Sequence, residues 1–193
     1  MELPRSLLPR LAMLPELFPK CTHSAKRGSR YDFTCVENPA MHLSAKTIKK
    51  GSGKVAPQVI GQAQPQKFCE ELGIPYTDVP TLKNYIQTNI TSILPHLVSH
   101  TFDCPNLYYH QEEDKIWFIQ MVKEIDWYRM SYEWTKTGDD WNNSSTLKIK
   151  TSRGFVALVE FQFHSSSRTN MAVRWCYDNL LDIFRDNFSI TAL

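Results

Sequence analysis

Residues 31–54, YDFTCVENPAMHLSAKTIKKGSGK, alternate with a period of two on either side of a short turn, which restricts the segment to a β-hairpin with one apolar and one polar face. Tyr31, Phe33 and Cys35 fall together with Leu43 and Ala45, whereas Asp32 and Thr34 fall with His42, Ser44 and Lys46. The spacing therefore puts a carboxylate and an ammonium on one open sheet face. Metal-dependent hydrolysis of a phosphodiester needs such a pair. A divalent cation held by carboxylates activates water and neutralises the pentavalent phosphate, and a nearby lysine orients or deprotonates that water.

On these residues the hairpin resembles the catalytic core of the PD-(D/E)XK nuclease superfamily, and more narrowly the type II restriction endonucleases. There an Asp ends one strand and a (Glu/Asp/Ser)-x-Lys follows on the next. The resemblance covers residues 30–62 and implies Asp32 as the metal-binding carboxylate, Ser44 in the position usually held by a second carboxylate, and Lys46 as the catalytic lysine. The proline that often precedes the Asp is absent, Arg30 and Tyr31 standing there. Serine is a poorer ligand than carboxylate for a hard cation, so another acid has to complete the site. Members of the superfamily often supply it from an N-terminal helix, which makes Glu16 a candidate, although Pro9, Pro15 and Pro19 argue against a long regular helix there.

Downstream of Lys46, the segment TIKKGSGKVAPQVIGQ carries Lys49, Lys50 and Lys54 among glycines. Such cations can hold a nucleic-acid backbone, or simply form a solvated basic loop. GSGKV is not a P-loop, because the spacing differs and Val55 stands where a hydroxyl is required.

A second constellation lies in FVALVEFQFHSSSRTNMAVRW, residues 155–175. Strict alternation predicts a strand with Phe155, Ala157, Val159, Phe161 and Phe163 on one face and Val156, Leu158, Glu160, Gln162 and His164 on the other. Ser165, Ser166 and Ser167 make a break, and Val173, Cys176, Leu180 and Phe184 lie on one stripe of a helix expected over 168–187. Three readings of Glu160-x-Gln162-x-His164 stay open. It is an active centre of the Glu-x-Gln kind that some restriction endonucleases use, or a face that reads bases and holds phosphates, or a structural cluster in which Glu160 pairs with Arg168 or Arg174. Glu160 could also complete the Asp32 site, since strands remote in sequence can be neighbours in a mixed sheet. The preceding WNNSSTLK resembles a Trp-Asn-x-Ser region ahead of an EFQ-x-H strand in some restriction-endonuclease-like proteins. That likeness implies Asn143, Ser144, Gln162, His164, Arg168 and Arg174 as substrate contacts.

The remaining pattern reads as scaffold. A short helix over 65–72 closes at Gly73, and a helix over 81–97 is disturbed at Pro95. Residues 106–110 and 115–122 form a hairpin around the acidic turn at 112–114, which could bind a cation or be solvated, and 128–135 is another strand. Trp127, Trp134 and Trp141, with Tyr128 and Tyr132, read as core or interface in preference to base-stacking platforms.

A chain of 193 residues with 42% hydrophobic content can bury one sizeable core, so one domain is expected. Its divisions are an N-terminal helical or irregular segment (1–30), the hairpin and basic loop (31–64), scaffold (65–140), and a second hairpin with C-terminal helix (141–193). The net charge of +2 neither demands nor excludes DNA, but Lys26, Arg27, Arg30, Lys46, Lys49, Lys50 and Lys54 concentrate in the first third. Five dispersed cysteines without C-x-x-C spacing disfavour a zinc site or disulfide framework and fit reduced thiols in the cytoplasm. Prolines divide the N-terminal apolar pieces, unlike a signal peptide, and no segment has the length of a membrane span.

The resemblance thus implies an α/β or α+β fold with a mixed central sheet flanked by helices, and a Mg²⁺-dependent endonuclease acting on double-stranded DNA, a homodimer if its site is palindromic. Asp32, Ser44, Lys46 and Glu160 are the catalytic candidates, with Asp32, Glu16 and Glu160 as metal ligands. The alternative is a non-catalytic nucleic-acid-binding or assembly protein with a degenerate nuclease fold. A small secreted protein is a third reading, supported by the sequons such as Asn89-Ile-Thr and the odd cysteine count.

Overall fold

The computed structural model describes residues 17–25, 30–48, 53–56, 64–164 and 170–193. The fold is mixed α/β, with two sheets and, among the described residues, four α-helices. Two compact units share the chain, one drawn from Met1–Ser52, Phe102–Lys123 and Phe188–Leu193, the other from Gly53–Thr101 and Glu124–Asn187.

The first unit holds a six-stranded sheet in the order β1-β2-β3-β5-β6-β11: β1 (Cys21–His23), β2 (Phe33–Cys35), β3 (His42–Ile48), β5 (Asn106–His110), β6 (Lys115–Met121) and β11 (Phe188–Ala192). The expected hairpin is present, with Phe33 opposite Leu43 and Thr34 opposite His42. Its turn is closed by the Asn38 side chain accepting from Ala40 N at 3.1 Å. β3 runs parallel to β5, and the other pairs are antiparallel. The apolar face packs as the alternation predicts: Cys35 and Leu43 join Phe18, Leu107, Ile116 and Phe118 in the core, with Phe33 against it. The 106–110 and 115–122 hairpin also forms as expected, turning at Asp114 with φ 50°. Tyr31 departs from its assigned face. It precedes β2, and its ring stacks on His42 at 3.9 Å.

The second unit holds an antiparallel sheet in the order β4-β10-β9-β8-β7: β4 (Lys54–Val55), β10 (Asn170–Cys176), β9 (Gly154–His164), β8 (Ser144–Thr151) and β7 (Tyr132–Trp134). Here the first described part of the helix expected over 168–187 is strand, Asn170–Cys176. Met171, Val173 and Trp175 are buried with a period of two; the α-helix (α4) is confined to Tyr177–Ile183, and a 3₁₀ turn follows at Arg185–Asn187. The stripe 173, 176, 180, 184 misled because its first two members lie in β10. A β-bulge also breaks the alternation of β9: Leu147 faces Val159 but Lys148 faces Ala157, so one residue of β9 is extra. The bulge turns Val156 toward the face of Leu147 and Ile149, and takes Phe155, 43% exposed, off the face it was expected to share with Val159 and Phe161.

Helix α1 (Pro65–Leu72) ends at Gly73 in the left-handed conformation, as expected. The second predicted helix is two, α2 (Val79–Thr88) and α3 (Ile90–Thr101), and the break falls at Asn89, not Pro95. Asn89 closes α2 with both its N–H and its side-chain amide donating to the Tyr85 carbonyl, while its own carbonyl receives Ser92 N and Ile93 N. Pro95 lies inside α3, where Ile90, Ile93, Leu94, Leu97 and Val98 are buried, and their packing offsets the one lost hydrogen bond. The tryptophans serve as core: Trp127 and Trp141 are buried, with Trp127 at 6.4 Å from Trp175 and Trp141 at 5.6 Å from Phe163. Of the predicted strand 128–135, Tyr132–Trp134 pairs in the sheet. Trp127–Arg129 is a 3₁₀ turn and Tyr128 is exposed.

Two substitutions separate the bulged register from strict alternation. Phe161→Ala should lower unfolding free energy by about 3–5 kcal/mol, whereas Phe155→Ser should change it by no more than about 0.5 kcal/mol, both read by urea denaturation.

Candidate active site

In the first unit, three of the four residues proposed for catalysis join through hydrogen bonds. Asp32 Oδ2 accepts from Ser44 Oγ at 3.0 Å and from the Ala45 backbone N–H at 2.7 Å. Lys46 Nζ donates to the same Ser44 Oγ at 2.8 Å. Period-two spacing puts Ser44 and Lys46 on one face of β3, and antiparallel pairing carries Asp32 to that face from the run into β2. The face is not open, however: Ser44 is fully buried and Lys46 largely withdrawn from solvent. Ser44 therefore is not a free ligand standing in for an acid. Its hydroxyl joins the carboxylate to the ammonium.

A carboxylate that sequence reasoning missed belongs to the same unit. Asp103 precedes β5, the parallel neighbour of β3, and Ser44 N donates to the Pro105 carbonyl at 3.0 Å. Asp103 Oδ2 accepts from Arg30 at 2.6 Å and from Tyr31 Oη at 2.8 Å, and its side chain is 20% exposed. Only the polar break DCPN ahead of a strand marked it in the sequence. Burial pulls the Lys46 pKa below that of an ordinary lysine, while Asp32 first, then Cys104 and Asp103, act in the opposite direction. The ammonium thus sits under the influence of carboxylates from both flanking strands.

In the second unit, Glu160 is 6% exposed, and its ion-pair partner among the described residues is not Arg174. Lys54 Nζ lies 2.9 Å from Glu160 Oε1, and Gln162 Nε2 donates to Oε2 at 2.8 Å. β10 explains the pairing, since it lies between β9 and β4, with Arg174 opposite Glu160 and Cys176 opposite Lys54. Arg174 itself is exposed, as are Asn143 and His164. Ser144 lies opposite Gln162, and the Asn143 carbonyl accepts from Phe163 N at 2.7 Å. Lys54, Glu160 and Gln162 thus form one polar cluster around a buried carboxylate, and burial pushes the neighbouring Cys176 thiol up. Glu16, Lys49, Lys50 and Arg168 lie outside the described residues.

Among the described residues no group of three His, Cys, Asp or Glu side chains gathers as a metal cage. A Mg²⁺ ion does not need one, because it keeps much of its water and is held by one or two carboxylates together with substrate phosphate. Asp32 fits that demand. Both hydrogen bonds it accepts from described residues fall on Oδ2, leaving Oδ1 for a cation.

Titration tests the environment of Lys46. Below its lowered folded-state pKa the lysine is charged in both states, and the full cost of burying the ammonium is present. Between that value and 10.5 the unfolded chain binds the proton that the folded protein has released, so stability rises with pH. The stability of the wild type relative to Lys46→Met should therefore increase across this window, measured by denaturation at successive pH values. A flat or falling difference would contradict the burial.

Over its whole length the chain is 37% identical, across 195 aligned positions, to the type II restriction enzyme CviAII of Paramecium bursaria Chlorella virus 1. It spans about half of that relative, 55% of its length. No family model matches the chain, and no solved structure matches it significantly. The five cysteines are free thiols, and no helix among the described residues is long and apolar enough to cross a membrane. By its sequence, this chain is a homologue of a type II restriction enzyme.

Proposed function

We propose that the protein is a metal-dependent restriction endonuclease that hydrolyses phosphodiester bonds of double-stranded DNA inside the cell, with the first-unit hairpin as its catalytic centre. The observation that carries this reading is the hydrogen-bonded chain Asp32–Ser44–Lys46. Homology to a restriction enzyme along the whole sequence supports it. Asp32 would hold the cation, with Asp103 as the second carboxylate of the unit. When bound, Mg²⁺ supplies charge neutralisation at the phosphate and a more acidic water.

The chain's own groups do the rest. Ser44 fixes the Asp32 carboxylate and the Lys46 ammonium to each other through one hydroxyl, so neither can turn away without breaking a buried bond. The lowered Lys46 pKa raises the share of neutral amine available to take a proton from the attacking water. The water oxygen bonds to phosphorus as its proton passes to Lys46 Nζ, and the bond from phosphorus to the leaving sugar oxygen breaks, that oxygen taking a proton from solvent water. In the second unit, exposed Arg174, His164 and Asn143, with Ser144, are proposed DNA contacts. Lys54 and Gln162 act there through Glu160, whose buried charge they satisfy. A palindromic target would imply a homodimer.

The second reading, a DNA-binding protein with a degenerate centre, is favoured by Ser44 in the acid position. Incubation of plasmid and phage DNA with the protein and Mg²⁺ or Mn²⁺ separates the two. Discrete fragments are expected, with cleavage reduced about 10²-fold or more in Lys46→Ala and in Asp32→Asn, and DNA binding by Lys46→Ala largely kept. Folded wild type that binds DNA without cutting any of it establishes the second reading.

A further inference from the structure

A pocket of about 350 Å³ lies within the second unit, between one face of α2 and the turn at 138–142. That volume is at the lower end of the range for small-molecule sites. Two side chains of α2 hold the turn in place. Lys83 Nζ donates to the carbonyls of Trp141 at 2.6 Å and Asn142 at 2.9 Å, and Gln87 Nε2 donates to the Lys136 carbonyl at 3.1 Å. Lys83 also sits over the Trp141 and Phe163 rings, at 5.7 and 5.5 Å. Gly138, at φ +51°, lets the backbone make the turn. The walls are thus preorganised by bonds that do not involve the remaining polar groups.

Those remaining groups identify the ligand. Asn84, Asp139 and Asn142 line the pocket, are exposed, and have side chains without hydrogen-bond partners among the described residues. Two amides offer both donors and acceptors, and the carboxylate accepts only. The single cation, Lys83, is turned to backbone carbonyls, and Asp139 repels anions, so the chemistry disfavours a phosphate. A neutral planar heterocycle with ring acceptors and an exocyclic amine matches it: carboxylates accept from the cytosine amine, and amides pair with the adenine edge.

We propose that this pocket binds one amino-bearing nucleobase, adenine or cytosine, through Asn84, Asp139 and Asn142. The base comes either from a nucleotide turned out of DNA or from a free nucleoside. Only the DNA source rests on the endonuclease reading; the pocket's chemistry does not.

The test uses the whole chain without metal, so that cleavage plays no part. The Trp141 indole N–H, assigned by Trp141→Phe, is the NMR reporter, since its buried Nε1 has no hydrogen-bond partner among the described residues. Deoxyadenosine, deoxycytidine and thymidine are titrated separately, followed by mixed-sequence duplexes and single strands. Deoxyadenosine or deoxycytidine should shift the signal saturably and thymidine should not. Affinity should fall about tenfold or more in Asn84→Ala and in Asp139→Ala, both exposed positions at which the fold survives. Response to oligonucleotides but not to nucleosides assigns an extruded base, and equal response assigns a free ligand. The proposal is overturned if none of these probes shifts the signal, if thymidine binds as well as the amino-bearing nucleosides, or if both variants bind like the wild type. A failure of this kind leaves the cleavage result untouched, and absence of cleavage leaves the nucleoside titrations equally readable.

Discussion

The Lys46 ammonium, withdrawn from water on the sheet of the first unit, is the constraint around which that unit's polar residues are arranged. A buried charge is tolerated only with compensating charge and hydrogen bonds. Ser44 supplies the bond, Asp32 supplies the charge, and the Ala45 N–H fixes the carboxylate that both depend on. Asp103 adds negative charge from the entry to β5, itself tied to Arg30 and Tyr31. The parallel pairing of β3 with β5 gives this network its form, because it brings a segment some sixty positions further on beside Ser44. The same arrangement that makes Lys46 costly to bury brings its pKa toward the range in which an amine can exchange a proton.

The second unit answers the same physical demand differently. Glu160 is the buried charge, and Lys54 and Gln162 satisfy it from a neighbouring part of one antiparallel sheet. An ion pair thus satisfies the Glu160 carboxylate, and among the described residues its cation is Lys54 while Arg174 is exposed. It also alters the role available to Lys54, which otherwise looked like one more cation on a basic loop. Its Nζ has a carboxylate partner, which ties the lysine to the cluster of Glu160 and Gln162.

Much of this was legible in the sequence wherever burial imposes a simple period. The hairpin of β2 and β3, the β5–β6 hairpin and α1 with its glycine stop all follow from alternation or capping, and so does the placing of Asp32, Ser44 and Lys46 on one face. The failures share a cause. Val173 and Cys176 satisfied a helical stripe only because β10 and α4 abut, and strand propensity in MAVRW was outweighed by a stripe that crosses their boundary. Phe155 was assigned to the face of Val159 and Phe161 because a bulge leaves no mark on a run of alternating residues. Asp103 and the Lys54–Glu160 pair were hidden for another reason: each depends on which strands become neighbours, and local pattern carries little information about pairing across long intervals.

The most direct measurement of this account is a double-mutant cycle on folding stability between Asp32→Asn and Lys46→Met. If Ser44 joins carboxylate and ammonium into one unit, the two substitutions should be non-additive, with a coupling of about 0.5–3 kcal/mol. That coupling should fall when the cycle is repeated on a Ser44→Ala background. Additivity to within about 0.3–0.5 kcal/mol would mean that the two charges do not sense each other. The catalytic centre assigned to the hairpin would then lose its physical basis.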